Sequence, residues 1–198
     1  MSEKINALEL QDTIRSCTLC EDTLAAGVNP ILHIHPNAKI LIASQAPGRK
    51  AHESSIPFDD PSGERLRAWL GVDKATFYNP EYFAILPMGF CYPGKAKTGD
   101  LPPKPICAQT WREKSLASMP HIQLVLVIGQ YAIKYHIADS PKTLTQTVRE
   151  GDRFGTSIFP LPHPSPLNNI WLKRNAWFEE ERLPILKKRV SALIKTNM

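Results

Sequence analysis

Apolar positions along the chain follow two rhythms that alternate. Short unbroken apolar runs occur at KILIAS (39–44), within EYFAILPMGF (81–90), at IQLVLVIG (122–129) and at TSIFPLP (156–162). Such runs, closed by turn residues, predict strands buried on both faces. Helical spacing fills the intervals. Residues 4–16 put Ile5, Leu8, Leu10 and Ile14 roughly on one side, and SGERLRAWLG (62–71) reads as a helix with Ser62 near its N-cap and Gly71 at its end. Further helices are predicted over 108–119, 130–137 and 170–195, the last with an interruption expected at Pro184. Between residues 92 and 105 the pattern predicts a Pro/Gly/Lys loop.

This alternation predicts a three-layer α/β/α sandwich around a central, mainly parallel four-stranded sheet, in one domain spanning residues 1–198. Ligands of such sheets bind beyond the carboxyl ends of the strands. Both SQAPG (44–48) and HPSP (163–166) directly follow predicted strands, so they are expected at one edge despite their distance in sequence.

The stretch PLPHPSPLNN (160–169) sets His163 between Pro162 and Pro164, with Pro166 close behind. Proline fixes φ and removes a donor, which makes a stiff loop. A stiff loop suits a histidine that must be held in place; it also suits a plain polyproline-like connector. Composition narrows the classes only a little. The chain has 198 residues, 42% of them hydrophobic, a net charge of +5 and eighteen prolines. A mild basic excess is compatible with nucleic acid as partner. No apolar run approaches the eighteen or so residues of a membrane span. The start, MSEKINALEL, is charged and amphipathic rather than signal-like, so a cytoplasmic location is expected.

Four cysteines remain: Cys17, Cys20, Cys91 and Cys107. Disulfides are disfavoured in a cytosolic chain. A four-thiolate metal site, a redox CxxC and unrelated core cysteines are the competing readings. Cys17 and Cys20 precede the first predicted strand, which argues against a redox motif opening a helix after a strand. Fifteen residues separate Cys91 from Cys107. Zinc sites often use two tight pairs, and this wide second pair leans toward an iron–sulfur cluster. His33 and His35 in LHIHP could form a metal pair, but their loop-like context favours exposed histidines, and His121 and His136 carry no motif.

Taken in order, SQAPG (44–48), PFDDPSG (57–63), HPSP (163–166) and the cysteine set resemble the uracil-DNA glycosylase superfamily, in particular its iron–sulfur-containing bacterial and archaeal branches. The resemblance spans roughly residues 10 to 185. It implies base-excision chemistry: hydrolysis of the N-glycosidic bond of uracil or a related deaminated base in DNA, by a monomer. On that likeness His163 donates to the departing base, and Phe58 stacks on the flipped base. Gln45 and Ala46 contact base and ribose, and Ser165 belongs to the substrate-binding loop. Leu167 and Asn168 enter the DNA, Leu167 either as a wedge between bases or as a loop leucine folded onto the core. Cys17, Cys20, Cys91 and Cys107 would hold a 4Fe-4S cluster, with zinc or no metal as the alternatives.

Two positions depart from those branches. Neither Gln45 nor Ala46 is a carboxylate, where related motifs carry glutamate or aspartate; Asp60 matches the aspartate of a branch lacking one there, with Asp59 as the near rival. Pro87 stands where a base-reading asparagine is found, so main-chain groups near Met88 and Gly89 are candidate substitutes. The opposing reading is a catalytically altered glycosylase-like protein, nucleic-acid-binding or accessory, with a structural metal cluster. Lys95, Lys97 and Lys104 would contact phosphates or simply be solvated.

Overall fold

The computed structural model describes residues 6–195. Chain order within them is α1 (Ala7–Arg15), β1 (Ile40–Ala43), α2 (Arg49–Ser54), α3 (Pro61–Leu70), α4 (Lys74–Phe77), β2 (Phe83–Ile85), α5 (Pro105–Ala117), β3 (Leu124–Ile128), α6 (Gly129–His136), α7 (Leu144–Arg149), β4 (Ile158–Leu161), α8 (Asn169–Arg174) and α9 (Leu183–Lys195). Ile5 and the start of the helix expected over 4–16 lie outside the described residues. All strand pairings are parallel, in the order β2-β1-β3-β4.

Successive side chains of a strand point to opposite faces, and each face meets its own helices. Ile40 and Ile42 of β1 join Leu66 and Trp69 of α3 and Leu186 and Val190 of α9 in one cluster. On the other face Leu41 and Ala84 pack with Leu10 and Ile14 of α1 and Met119 just past α5. Ala43 and Val127 meet Ala132 and Ile133 of α6 on that side as well. Burial on both faces accounts for the unbroken apolar runs, and the predicted three-layer α/β architecture is the observed one.

Three helices, α2, α4 and α7, were not legible in the apolar rhythm; they have six, four and six residues, too short for a period to show. Helix α3 starts earlier than its sequence suggests. Its N-cap is Asp60, whose side chain accepts from the Gly63 N–H at 2.8 Å, with Pro61 in the first turn, while Ser62 is buried inside the helix. Asp and Ser are both good caps, and proline just after the cap decides between them. Gly71 ends the helix with φ +70.

The C-terminal helix breaks, but not at Pro184. Asn175 ends α8: its Nδ2 donates to the Trp171 carbonyl and its Oδ1 accepts from Trp177 Nε1. A wider π turn over Phe178–Arg182 follows, and Pro184 sits in the first turn of α9. A proline there has little helix behind it to lose a hydrogen bond to.

Gly63 fixes the approach of the 57–60 turn to α3. A Cβ at position 63 would overlap the carbonyl oxygen of Phe58, a backbone atom with nowhere to go. Phe58 itself has φ +57, a left-handed backbone rare for a bulky residue. Gly63→Ala is expected to destabilise the fold by about 1–3 kcal/mol, read as a lowered midpoint in urea unfolding, whereas Ala68→Gly on the exposed side of α3 should cost no more than about 1 kcal/mol.

Candidate active site

Ser44 follows β1 and Pro162 follows β4, so the chain leaves both strands at the same edge of the sheet. The two loops open into one cleft of about 480 Å³. Gln45, Ala46, Phe58, Asp60, His163, Ser165, Leu167 and Asn168 all line it. The structure thus brings these eight residues together. Asp59 is not among the lining residues; it pairs with Lys74 at 3.3 Å outside the cleft.

His163 is held by its own loop. Its Nδ1 accepts from the Ser165 N–H at 3.2 Å, and its carbonyl accepts from Asn168 Nδ2 at 2.7 Å. Burial pushes the imidazole below its usual 6.5, against the pull of Asp60 and Asp100. A neutral ring that accepts at Nδ1 carries its proton on Nε2. The loop is further tied to α3: Arg65 donates to the Ser165 carbonyl at 3.1 Å and to Asn169 Oδ1 at 2.8 Å. Arg65 was missed in the sequence, where a charged residue on a helix carries no distinguishing signal. Leu167, beyond this anchored part, is 77% exposed and does not fold onto the core.

Across the cleft Phe58 meets Phe77 edge-on at 6.1 Å, and its carbonyl accepts from Arg67. Asp60 uses Oδ1 for the α3 cap, while its Oδ2 lies 3.9 Å from where a Cβ on Gly48 would stand.

The segment predicted as an open loop is a small hairpin. Leu101 donates to Gly94 at 2.9 Å and Ala96 to Gly99 at 3.1 Å, with Lys95 bridged to Asp100. Gly94 and Gly99 both have positive φ, which the turn requires. Gln45 Nε2 donates to the Leu101 carbonyl at 3.4 Å, so this side chain engages the hairpin. Lys95 and Lys97 are exposed on it and Lys104 is half-buried. The hairpin brings Asp100 into the cleft wall, and burial together with the Asp100 charge pushes the Tyr92 phenol up. Asp100 was also missed; the Thr98-Gly99 turn was its only trace.

The wall beyond β2 is apolar toward the cleft, and several of its backbone groups are engaged. The Met88 N–H donates to Ser44 at 2.7 Å and the Gly89 N–H to Gln45 at 3.0 Å. Of the main-chain groups near Met88 and Gly89 that were candidates for reading a base, these two N–H groups are thus engaged within the protein. Behind them Arg112, fully buried, donates to the carbonyls of Leu86 and Pro87 at 3.1 and 3.0 Å. It also meets His136 Nε2 at 2.6 Å and stacks over Tyr135. Burial lowers the Arg112 guanidinium to about 10, so it stays cationic at neutral pH. Burial and that cation hold His136 down to about 3.

The cysteines converge on a second, much smaller cavity of about 20 Å³, lined by Cys17, Cys20, Cys91 and Cys107 together with Phe90 and Trp111. Burial raises the Cys91 thiol to about 11 and the Cys107 thiol to about 12. Sγ of Cys107 accepts from the Phe90 N–H at 3.3 Å. Among the described residues no group of three or more His, Cys, Asp or Glu stands at the separations that hold a metal ion. His33 and His35 are both half-buried rather than exposed, His33 because its backbone pairs with Ile85 on both sides.

Residues 33–187 match the family model of the uracil DNA glycosylase superfamily, and the chain belongs to that superfamily. Members of that superfamily are generally glycosylases, and the family acts on DNA. No helix among the described residues is long and apolar enough to cross a membrane.

In a long-range ¹H–¹⁵N spectrum at pH 7, His163 is expected as the Nε2–H tautomer, protonating only below its ordinary 6.5. A ring already charged at pH 7 would contradict the geometry described above.

Proposed function

We propose that this protein is a DNA base-excision glycosylase that hydrolyses the N-glycosidic bond of uracil or a related deaminated base. The observation that carries the reading is His163: a neutral imidazole, proton on Nε2, clamped by Ser165 and Asn168 in the wall of a cleft that also holds Phe58 and Asp60. The target nucleotide must leave the stack to reach such a cleft. Breaking the glycosidic bond leaves negative charge on the base, and the Nε2–H stabilises that charge as it grows. A donor fixed beforehand costs nothing to reorganise at that moment. Phe58 provides the face for stacking. Asp60, with one oxygen fixed by the cap and the other free, stabilises the sugar cation or orients water. Leu167, exposed on an anchored loop, is the apolar wedge, with Asn168 beside it at the DNA.

Base identity rests on little polar contact. Pro87 offers no side-chain donor or acceptor, and the Met88 and Gly89 N–H groups and the Pro87 carbonyl are already bonded. These features, with Gln45 turned to the hairpin, favour the second reading of a glycosylase-like binding or accessory protein.

The four cysteines suit a 4Fe-4S cluster in a structural role, with zinc as the alternative. Beyond the shared cavity, the buried Trp111 Nε1 has no partner, and a backbone N–H already donates to one sulfur. Amide donors to sulfur tune and support thiolate ligands. The thiols would ligate as thiolates, and a bound cluster would cross-link the end of α1 to the root of the hairpin and the start of α5.

Base release from oligonucleotides carrying uracil, hypoxanthine or xanthine tests the enzyme reading. His163→Ala is expected to slow release by about 100- to 1,000-fold while DNA affinity is retained. No release by protein with its metal centre intact would favour the binding reading. Separately, anaerobically purified protein is expected to contain iron and acid-labile sulfide, and Cys107→Ala to lose both together with thermal stability; zinc without sulfide would decide for the alternative.

A further inference from the structure

Gly48 separates two carboxylates. Asp60 Oδ2 lies 3.9 Å and Asp100 Oδ2 4.0 Å from the place a Cβ on residue 48 would take. The two acids come from unrelated parts of the chain: Asp60 caps α3, and Asp100 sits on the hairpin across the cleft. Asp60 is fixed through Oδ1 by the Gly63 N–H, and Asp100 is carried by the hairpin, its backbone bridged to Lys95. Both face the cleft that His163 lines, and glycine leaves the space between them open.

We propose that Asp100 is a second catalytic carboxylate, which together with Asp60 holds the attacking water above Gly48. The inference rests on the glycosylase reading and adds to it a residue on the opposite wall. In the step, the water oxygen bonds to C1′ of the sugar as the C1′–N bond breaks. The bonding pair leaves with the base, whose charge the His163 Nε2–H stabilises. The water gives one proton to the carboxylate pair and from there to solvent, and the base anion takes a proton from solvent. The products are an abasic sugar with a C1′ hydroxyl and the neutral base.

One carboxylate already committed to a helix cap presents only one oxygen to water. A pair offers an acceptor to each water hydrogen, which sets the direction of the oxygen lone pair. An acid in a cleft that takes DNA also repels phosphates, so removing its charge should not weaken binding. Catalysis and affinity therefore move apart in this variant.

The test is single-turnover base release, with DNA affinity measured in parallel, for wild type, Asp100→Asn, Asp60→Asn and the double variant, using whichever damaged base the wild type releases. Asp100→Asn is expected to slow release by about 100-fold with affinity equal or tighter. The double variant should be about as slow as the slower single, because both acids act on one water. Gly48→Ala, whose Cβ would make only ordinary contacts, should also slow release while the unfolding midpoint is kept. Release by Asp100→Asn at the wild-type rate overturns the proposal and leaves the glycosylase reading standing. Losses that multiply in the double variant overturn the shared water. A wild type that releases no base overturns both readings together.

Discussion

The contact on which the rest depends is the close approach of the 57–60 turn to the start of α3. Gly63 lets the Phe58 carbonyl come down onto the helix, and the Asp60 cap bonds back to the Gly63 N–H. That single junction aims an aromatic face and a carboxylate into the cleft. Half a turn further on, Arg65 reaches from the same helix to the loop of His163. One rigid helix therefore sets the spacing between the groups on both sides of the cleft. Holding reacting groups at set positions is where much of an enzyme's advantage over solution comes from. The strained backbone of Phe58, at φ +57, is a local cost that this junction sustains.

The wall beyond β2 is backed by a buried cation, Arg112. A buried guanidinium is costly unless its donors are satisfied. Arg112 meets most of this cost with the Leu86 and Pro87 carbonyls, the neutral His136 and the Tyr135 face, while its Nε is left without a partner. Its helix, α5, begins beside Cys107. The same helix thus stands behind the cleft wall and at the cysteine cavity, and displacement of α5 at one would be felt at the other. The wall it supports is apolar, and the N–H groups of Met88 and Gly89 are turned back onto the chain after β1.

Much of the architecture could be read from the sequence because a doubly covered parallel sheet writes unbroken apolar runs. Ile40–Ala43 and Leu124–Ile128 are such runs, and the strand-to-loop transitions after them announced where a ligand would sit. His163 and Phe58 were legible through their proline and glycine punctuation. Asp100 and Arg65 were not, because their roles come from tertiary placement: one rides a hairpin into the cleft, the other bridges from α3 to a loop a hundred residues away. The choice of Asp60 over Ser62 as cap was decided by Pro61, a neighbour whose effect is local but easily outweighed by the familiar serine signal.

The hairpin is joined to the body at its two ends, which touch one another: the Phe90 N–H donates to Cys107 Sγ, closing the intervening chain into a nearly independent ring. The free energy of closing such a ring grows only logarithmically with its length. Residues could therefore be added at the hairpin tip, between Lys97 and Thr98, with little change to the sheet beneath. The cleft thus has a durable floor and an exchangeable roof. Descendants of one scaffold could reshape the mouth of the cleft by rewriting the tip of its roof, leaving the folding problem already solved.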